Sequence, residues 1–206
     1  MIEIILTELA IPTLLGCLGW SFSEYAMHHW NGHLMRGRTT FSREHLRHHA
    51  EKDYFTPNRQ KVTMAIAPVL VIALVGTLLF GVGQAMAFTL GFTATYIIYE
   101  VTHYRMHTVP PRGPYGRMIR RLHFAHHFNS ARMNHGVTSP LWDYVFRTWE
   151  EPAIVRVPRR FAMDWLLDPE TNEVREKYRA DYALRTKRAR ATDEDKSTEN
   201  LMATAA

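Results

Sequence analysis

Cysteine is almost missing from this sequence, which contains only Cys17, inside an apolar stretch. No disulfide can therefore form within the chain, and no metal site can be built from several thiolates. A metal ion would have to be bound by histidine, with carboxylate or water as additional ligands. With 206 residues the chain has the length of one domain.

Lysine and arginine are missing from two long segments of the chain. Residues 1–35 and 62–104 contain neither, and all 25 basic residues lie in 36–61 or beyond Tyr104. Such segregation of positive charge is typical of a membrane protein, in which basic segments stay in the cytoplasm. We therefore expect a membrane as a partner, no nucleic acid, and both basic segments on the cytoplasmic side.

Three charge-poor stretches are candidates for membrane spans. Residues 62–80 carry no charge and are long enough to cross a bilayer core of about 30 Å. Residues 84–99 form a second such run, and the short link between the two predicts a tight antiparallel hairpin. Residues 9–27 are apolar apart from Glu24 and a few hydroxyl groups. The prediction is an all-α integral membrane bundle, and the alternative is a soluble helical protein with buried hairpins.

The segments outside these spans divide the chain into two parts. Two glutamates near the N-terminus indicate a retained anchor rather than a secretory signal. Residues 1–167 are predicted to form the membrane domain, in which 150–167 would lie at the membrane interface. Residues 168–206 are predicted to be a charged C-terminal tail, with a surface helix over 168–190 and disorder beyond it.

Histidine, by contrast, is abundant, and ten of the 12 histidines form four groups. The groups form two matching pairs. In each pair, a couple of histidines four or five residues apart is followed along the chain by a triad at i, i+3 and i+4. Imidazole is the commonest metal ligand, and ten imidazoles are too many for one ion. The pattern therefore predicts two metal ions, and three spans would place all four groups on the cytoplasmic side. The ten candidate ligands are His28, His33, His45, His48, His49, His103, His107, His123, His126 and His127.

Helical spacing supports most of these choices. Each triad places its rings on one helix face, and the second couple, at i and i+4, also shares a face. His28 and His33 do not share a face on an ideal α-helix, whereas His29 and His33 would. Spacing alone leaves the choice between His28 and His29 open, and it gives His135 no place in the pattern.

The ordered histidine groups resemble those of the fatty acid hydroxylase superfamily, the membrane histidine-rich di-iron enzymes. The likeness is closest to fatty acid 2-hydroxylases and extends over roughly residues 20–150. It rests on Glu24-Tyr25-Ala26-Met27-His28, on the later histidine groups and on the stretch 136–148. Asn134-His135-Gly136 is similar to a motif of the sterol desaturase and methyl-sterol oxidase branch, with histidine in place of tyrosine. The alignment implied by this resemblance selects His28 over His29.

The resemblance implies a bundle of three to four membrane spans and a cytosolic helical cap that holds the di-metal centre. It implies two iron ions, O2 and hydroxylation of a C–H bond on a membrane lipid, with a fatty acyl chain favoured. Electrons would come from a separate reductase or ferredoxin-type donor, because the sequence shows no attached haem domain. Zinc could replace iron in purified protein, since affinity alone favours zinc over ferrous iron.

Several polar residues near the groups could orient a ligand ring by accepting its second N–H. Glu24 precedes His28 by one turn, and Glu100 precedes His103 by three residues. The alternative interpretation of these carboxylates is an ion pair at the membrane interface. The candidates for this supporting role are Glu24, Glu100, Asn134, His135 and Asp143.

Two other functions stay open at this point. A lipid or sterol desaturase would use the same scaffold and the same oxidant, and the sequence does not separate it from a hydroxylase. A membrane metal-binding or transport protein without redox chemistry would also be rich in histidine. The placement of the histidines on one side, rather than along a path through the spans, argues against that third function.

Overall fold

The computed structural model describes residues 2–185, and helices make up most of it. The prediction of an all-α chain is confirmed in that helices predominate, but a short two-stranded parallel sheet departs from it. The helices are α1 (Ile2–Ile5), α2 (Ile11–Ala26), α3 (Thr40–Ala50), α4 (Asn58–Phe80), α5 (Val82–Thr108), α6 (Gly113–Phe128) and α7 (Leu141–Phe146). The other elements are π-helical segments at Leu6–Ala10 and Met27–Leu34, 3₁₀ turns at Arg159–Phe161 and Glu176–Tyr178, and strands β1 (Val155–Pro158) and β2 (Tyr182–Arg185).

The predicted hairpin is present as α4 and α5. Gly81 ends α4 with a φ of +87°, a backbone conformation that glycine adopts without steric cost, and α5 starts at the next residue. Of the helices within residues 2–185, α4 alone combines the length and the apolar composition needed to cross a membrane. α2 covers 16 residues between the π-helical segments, and α5 is longer but less apolar. The count of three to four spans therefore stays a prediction.

A close crossing of α2 and α5 joins the hairpin to the N-terminal helix. Gly16 faces the backbone of Phe88 at this crossing, and Gly91 faces the backbone of Thr13. A Cβ atom on either glycine would lie 2.1 Å from a backbone carbonyl oxygen, far inside van der Waals contact. The two helices can approach this closely only without side chains at the crossing, so glycine sets their separation.

The Gly91→Ala substitution is expected to destabilise the protein. Its Cβ would lie 2.1 Å from the carbonyl oxygen of Thr13, and a backbone atom cannot rotate away as a side chain does. Overpacking of this kind costs about 1–3 kcal/mol or more, so the thermal unfolding midpoint in detergent should fall. Gly83→Ala is the matched control, because its added Cβ would meet only Glu8 Oε2 at 3.6 Å. Equal midpoints for the two variants would contradict the tight crossing.

The second half of the described chain forms a cap with its own hydrophobic core. α6 contacts β1, and β1 pairs in parallel with β2 in the register Val155↔Tyr182. Val155 and Leu166 are fully buried in this core, and Trp165 donates its indole N–H to the carbonyl of Met106 at 3.1 Å. The cap core thereby anchors the end of α5 to α6, and these two helices carry five of the ten candidate ligands.

The C-terminal part differs from what was expected of it. Residues 150–167 contain β1 and bury Trp165 and Leu166 in the cap, while Ile154 among them is 43% exposed, so their place at a membrane interface stays a prediction. The surface helix expected over 168–190 is replaced, as far as Arg185, by a 3₁₀ turn and β2. Burial alternates along β1 with the two-residue period of a strand, which a search for helical periods overlooks.

The boundary predicted after residue 167 falls between the two strands of one sheet. Residues 191–206, for which disorder is expected, lie outside the described part of the chain. The division into a membrane domain and a C-terminal tail stays a prediction.

Candidate metal centre

All ten candidate ligands converge, and they do so as two separate clusters. Within each cluster, every histidine offers a ring nitrogen that lies within 4.8 Å of the others. His29 and His135 belong to neither cluster. Cluster 1 consists of His28, His33, His45, His49 and His126, and cluster 2 consists of His48, His103, His107, His123 and His127.

Each histidine triad is divided between the two clusters. In α3, His45 and His49 belong to cluster 1 and His48 belongs to cluster 2. In α6 the arrangement is reversed, so that the i and i+4 residues belong to cluster 2 and His126 belongs to cluster 1. An α-helix turns about 100° per residue, so the i and i+4 rings point about 40° apart while the i+3 ring points to their side. One turn of each helix therefore serves both clusters, which touch where His49 stacks on His127 at 4.0 Å.

The first histidine couple reaches cluster 1 because its segment is π-helical. The backbone hydrogen bonds of a π-helix join residues i and i+5. His28 and His33 are five residues apart, so they share a face of this segment, which an α-helix would not allow. Both Nε2 atoms lie 2.9 Å from Nε2 of His126. The ring of His29 points elsewhere, with its Nδ1 at 3.1 Å from the Tyr25 hydroxyl.

Hydrogen bonds to backbone carbonyls decide which ring nitrogens face cluster 1. His126 donates from Nδ1 to the carbonyl of Met133 at 2.7 Å, and His28 donates from Nδ1 to the carbonyl of His135 at 2.5 Å. Since a carbonyl oxygen only accepts, each Nδ1 carries the proton and, in a neutral ring, each Nε2 carries a lone pair. These lone pairs face each other across 2.9 Å, an arrangement that is repulsive unless a cation lies between them. Cluster 1 is therefore suited to a bound metal ion.

Burial keeps the rings in the neutral form. It lowers the pKa of His126, and the neighbouring His33 and His135 lower that pKa further. In cluster 2, burial lowers the pKa of His48 to about 4 and holds the pKa of His123 well below its usual range. Neutral imidazole is the form that binds a metal ion. At neutral pH the rings of both clusters are thus neutral, and each has one nitrogen whose lone pair can bind a metal ion.

The nitrogen separations fit a particular coordination geometry. His33 Nε2 also lies 2.9 Å from His45 Nε2, and in cluster 2 the Nε2 atoms of His107 and His123 are 2.9 Å apart. Two nitrogens bound to one ion at about 2.0–2.1 Å are roughly 2.9 Å apart at a right angle and roughly 3.4 Å apart at a tetrahedral angle. The right angle belongs to five- or six-coordinate sites and differs from the tetrahedral geometry of structural zinc.

Backbone carbonyls, rather than carboxylates, orient three of the ligand rings, those of His28, His126 and His48. Cluster 2 follows cluster 1 in this respect, since His48 Nδ1 donates to the carbonyl of Tyr54 at 2.7 Å. Such second bonds fix the tautomer and the direction of a ligand ring. Every residue has a carbonyl, so no residue type in the sequence marks the ones that take this role.

The expectation that Glu24 and Glu100 accept a ring N–H is wrong within the described part of the chain. Glu24 accepts hydrogen bonds from the backbone N–H groups of Val137 and Thr138, at 2.6 and 2.8 Å. Glu100 pairs with Lys61 at 2.5 Å. The alternative interpretation, an ion pair, therefore applies to Glu100. The Glu24 carboxylate instead accepts hydrogen bonds from a loop of the cap.

The three remaining candidates lie in this loop or beside it. Asn134, with a φ of +59°, bonds through its side-chain N–H and its side-chain oxygen to the backbone of Glu150, each at 2.9 Å. His135 is fully buried, and its ring stacks on His29 at 4.1 Å. Its Nδ1 lies 3.6 Å from Asp143 Oδ1, beyond hydrogen-bonding distance. None of the three belongs to either cluster.

An apolar cavity of about 340 Å³ reaches both clusters. His45 of cluster 1 and His48 and His103 of cluster 2 form one part of its wall. Sequence reasoning did not find this cavity, because its lining comes from separate helices and consists of residue types that also fill ordinary cores. The lining from α2, α4 and α5 includes Trp20, Met64, Val69, Ile72, Phe92, Tyr96 and Tyr99.

Residues 13–148 match the family model described as fatty acid hydroxylase. This chain belongs to the fatty acid hydroxylase family. All ten histidines of clusters 1 and 2 lie within the matched residues. The resemblance drawn from their order and spacing is therefore confirmed.

Two curated relatives in this family are similar to about two thirds of the chain. Dihydroceramide fatty acyl 2-hydroxylase FAH1 of Arabidopsis thaliana is 30% identical over 156 residues, with 69% of this chain and 62% of that protein covered. Fatty acid 2-hydroxylase of Mus musculus is 28% identical over 147 residues, with 66% of this chain and 38% of that protein covered. The chain thus spans less than two thirds of the length of these hydroxylases.

A solved structure, described as full length scs7p with only the hydroxylase domain visible, has a similar fold. The TM-score is 0.57 at 24% identity, and the likeness covers 69% of this chain and 58% of that chain. At this identity the likeness shows the fold alone.

Proposed function

We propose that this protein hydroxylates a C–H bond of a membrane lipid, with O2 as the oxidant and two iron ions bound in clusters 1 and 2. A fatty acyl chain is the substrate that the site fits best. The observation that carries the proposal is the cavity, which is mostly apolar along α2, α4 and α5, apart from Glu24 and the Lys61–Glu100 pair, and reaches histidines of both clusters. The relatives, which are named as fatty acyl and fatty acid 2-hydroxylases, support the same reaction.

The residues of the chain position the substrate and exclude water. An acyl chain in the cavity lies against Val69, Ile72 and Phe92, and each buried CH₂ group contributes about 0.8 kcal/mol to binding. His45 and His103 border the cavity from the two clusters. The carbon atom that reaches this end of the cavity is therefore the one oxidised, so the depth and shape of the apolar wall select it.

Iron bound in the two clusters supplies the reductive activation of O2. One oxygen atom enters the lipid as a hydroxyl group and the other leaves as water, so the reaction consumes a pair of electrons and a pair of protons. We propose a separate reductase or ferredoxin-type protein as the electron donor. Zinc in purified protein would not exclude iron as the native metal, because affinity alone favours zinc.

We propose that α2, α4 and α5 lie in a membrane, with the clusters on its cytoplasmic side. α4 has no buried residue, and Leu78 on it is 75% exposed. Leu14 on α2 and Leu90 on α5 are each 67% exposed and extend the apolar surface. Monomeric soluble proteins rarely expose an apolar surface of this extent, which counts against the soluble alternative. The basic segment 36–61 between α2 and α4 favours the cytoplasmic side.

The proposal predicts a lipid product that is heavier by one oxygen atom. The experiment uses the full chain in lipid nanodiscs, loaded with ferrous iron and supplied with a reductant and a lipid extract. Under isotopically labelled O2, mass spectrometry should find the label in the new hydroxyl group, because the hydroxyl oxygen comes from O2. A sample without reductant should form no product.

Three outcomes would contradict hydroxylation by this route. A product lighter by a pair of hydrogen atoms would identify a desaturase on the same scaffold. A hydroxyl group without the label would show that its oxygen comes from water. Metal flux across vesicles without O2 consumption would identify a metal-transport protein.

A further inference from the structure

Two buried carboxylates hold one loop behind cluster 1. Asp143 accepts hydrogen bonds from the backbone N–H groups of His135 and Gly136, at 2.8 and 2.7 Å. Glu24 accepts those of the next two residues, at 2.6 and 2.8 Å. Four consecutive N–H groups thus point at two carboxylates, one from α2 and one from α7. We call residues 133–138 the carbonyl loop, for the contacts that its carbonyl groups make.

A single peptide unit connects Asp143 to a ligand of cluster 1. The N–H of this unit, from Gly136, donates to Asp143 Oδ2, and its carbonyl, from His135, accepts the Nδ1–H of His28. A peptide unit is planar, and its N–H and C=O point in opposite directions. The carboxylate therefore fixes the direction in which the carbonyl points, and its charge polarises the unit toward a stronger acceptor.

The carbonyl loop supports cluster 1 and not cluster 2. A second carbonyl of the loop, from Met133, accepts the Nδ1–H of His126, which reaches cluster 1 from α6. In cluster 2, the ring of His48 is held instead by the carbonyl of Tyr54, in the connection between α3 and α4. The two clusters thus depend on different parts of the fold.

The surroundings of Asp143 hold its carboxylate in place. Thr148 donates its hydroxyl to Asp143 Oδ1 at 2.7 Å, and the Tyr25 hydroxyl lies 3.0 Å from that of Thr148. A Cβ on Gly136 would lie 2.1 Å from the carbonyl oxygen of Ser139 and 2.9 Å from Asp143 Oδ2. Only glycine lets the loop approach the carboxylate this closely, so the contact is built into the local backbone.

We propose that Asp143 is a positioning residue for the metal ion of cluster 1, acting through the 135–136 peptide, and that Glu24 holds the next part of the carbonyl loop. This inference rests on the proposed metal sites. It adds that the binding of one ion can be weakened without affecting the binding of the other. The substitution that does so is at a residue that contacts neither ion.

The Asp143→Asn variant tests the inference. Its side-chain NH₂ would face a backbone N–H, so one of the two loop bonds would be lost. Loss of such an orienting partner lowers metal affinity about 10–100-fold, and we expect this at cluster 1 only. With zinc alone as the probe and a competing chelator, the wild type should keep both ions and the variant one, as measured by elemental mass spectrometry. Asp164→Asn, at an exposed aspartate that pairs with Lys52, is the matched control and should keep both.

Double variants identify which ion is lost. His126→Asn removes a ligand of cluster 1, and Asp143→Asn added to it should release no further zinc. His123→Asn removes a ligand of cluster 2, and there Asp143→Asn should release the remaining ion. The reverse pattern, equal loss from both clusters, or retention of both ions in Asp143→Asn would overturn the inference. If Asp143→Asn does not fold, Glu24→Gln tests the same loop from α2, with the same selective loss expected.

The zinc readout separates this inference from the proposed function. Zinc binding needs no reductant, O2 or lipid, so it can be measured in a protein that forms no product. A wild-type protein that keeps fewer than two zinc ions would contradict the proposed metal centre, and not the role of Asp143 in holding the loop.

Discussion

Replacement of His126 by asparagine is expected to abolish lipid hydroxylation. His126 Nε2 lies 2.9 Å from Nε2 of both His28 and His33, so this ring contacts both ends of the first histidine couple. Asparagine is shorter and has no ring nitrogen, so cluster 1 would lose one of its five metal ligands. The loss of activity should exceed the roughly 100-fold that removal of an orienting partner costs. Formation of labelled product under labelled O2 measures this effect.

His29→Asn is the matched control for this prediction. His29 is also a histidine and adjoins His28, but its Nδ1 contacts the Tyr25 hydroxyl and its ring belongs to neither cluster. We expect product formation close to that of the wild type. Equal losses in His29→Asn and His126→Asn would show that the assignment of ligands in this part of the chain is wrong.

The convergence of ten histidines could be predicted from their order, because i and i+4 spacing places rings on one side of a helix. The division of each triad between two clusters could not. The division depends on α3 and α6 facing each other. Only in that arrangement does the ring of His48 join His123 and His127 of α6 in cluster 2. That relation between two helices is set by packing across the fold, and a single helix does not show it.

The choice between His28 and His29 shows a second limit of sequence reasoning. Ideal α-helical spacing favours His29 as the partner of His33, and the structure instead places His28 in cluster 1. The reason is the π-helical backbone of Met27–Leu34, which brings residues i and i+5 onto one face. No residue type in that segment predicts a π-helix, whereas the resemblance to the family selected His28 correctly as the ring that converges.

The hairpin of α4 and α5 was predictable because charge-free runs and glycine mark it directly. The cap was harder to predict, because β1 and β2 have four residues each and pair across a separation of more than twenty residues. The two-residue period of β1 is a local pattern, but the local sequence does not show which distant strand it pairs with. The same applies to the carbonyl loop, whose contacts with Glu24 join residues 113 positions apart.

The metal-free protein is expected to lose stability steeply as the pH falls below 6.5. Burial lowers the pKa of His48 from its ordinary 6.5 to about 4 in the folded chain. Between these values the unfolded chain binds a proton that the folded chain does not, so the free energy of unfolding falls as the pH falls. The shift corresponds to about 3 kcal/mol for His48 alone. Burial also lowers the pKa of the other cluster histidines of α3 and α6, which steepens the dependence.

Unfolding midpoints measured between about pH 7.5 and pH 5, with and without bound metal, test this dependence. The His48→Asn variant lacks one titrating ring, so its metal-free form should show a shallower slope than the metal-free wild type. A midpoint without pH dependence in the metal-free wild type would contradict the burial of neutral rings. The metal-bound protein should be more stable at each pH, because an ion that binds only the folded chain shifts the equilibrium toward it. Since the fold keeps these rings neutral before an ion binds, the same burial that weakens the metal-free protein in acid prepares the clusters to bind metal at neutral pH.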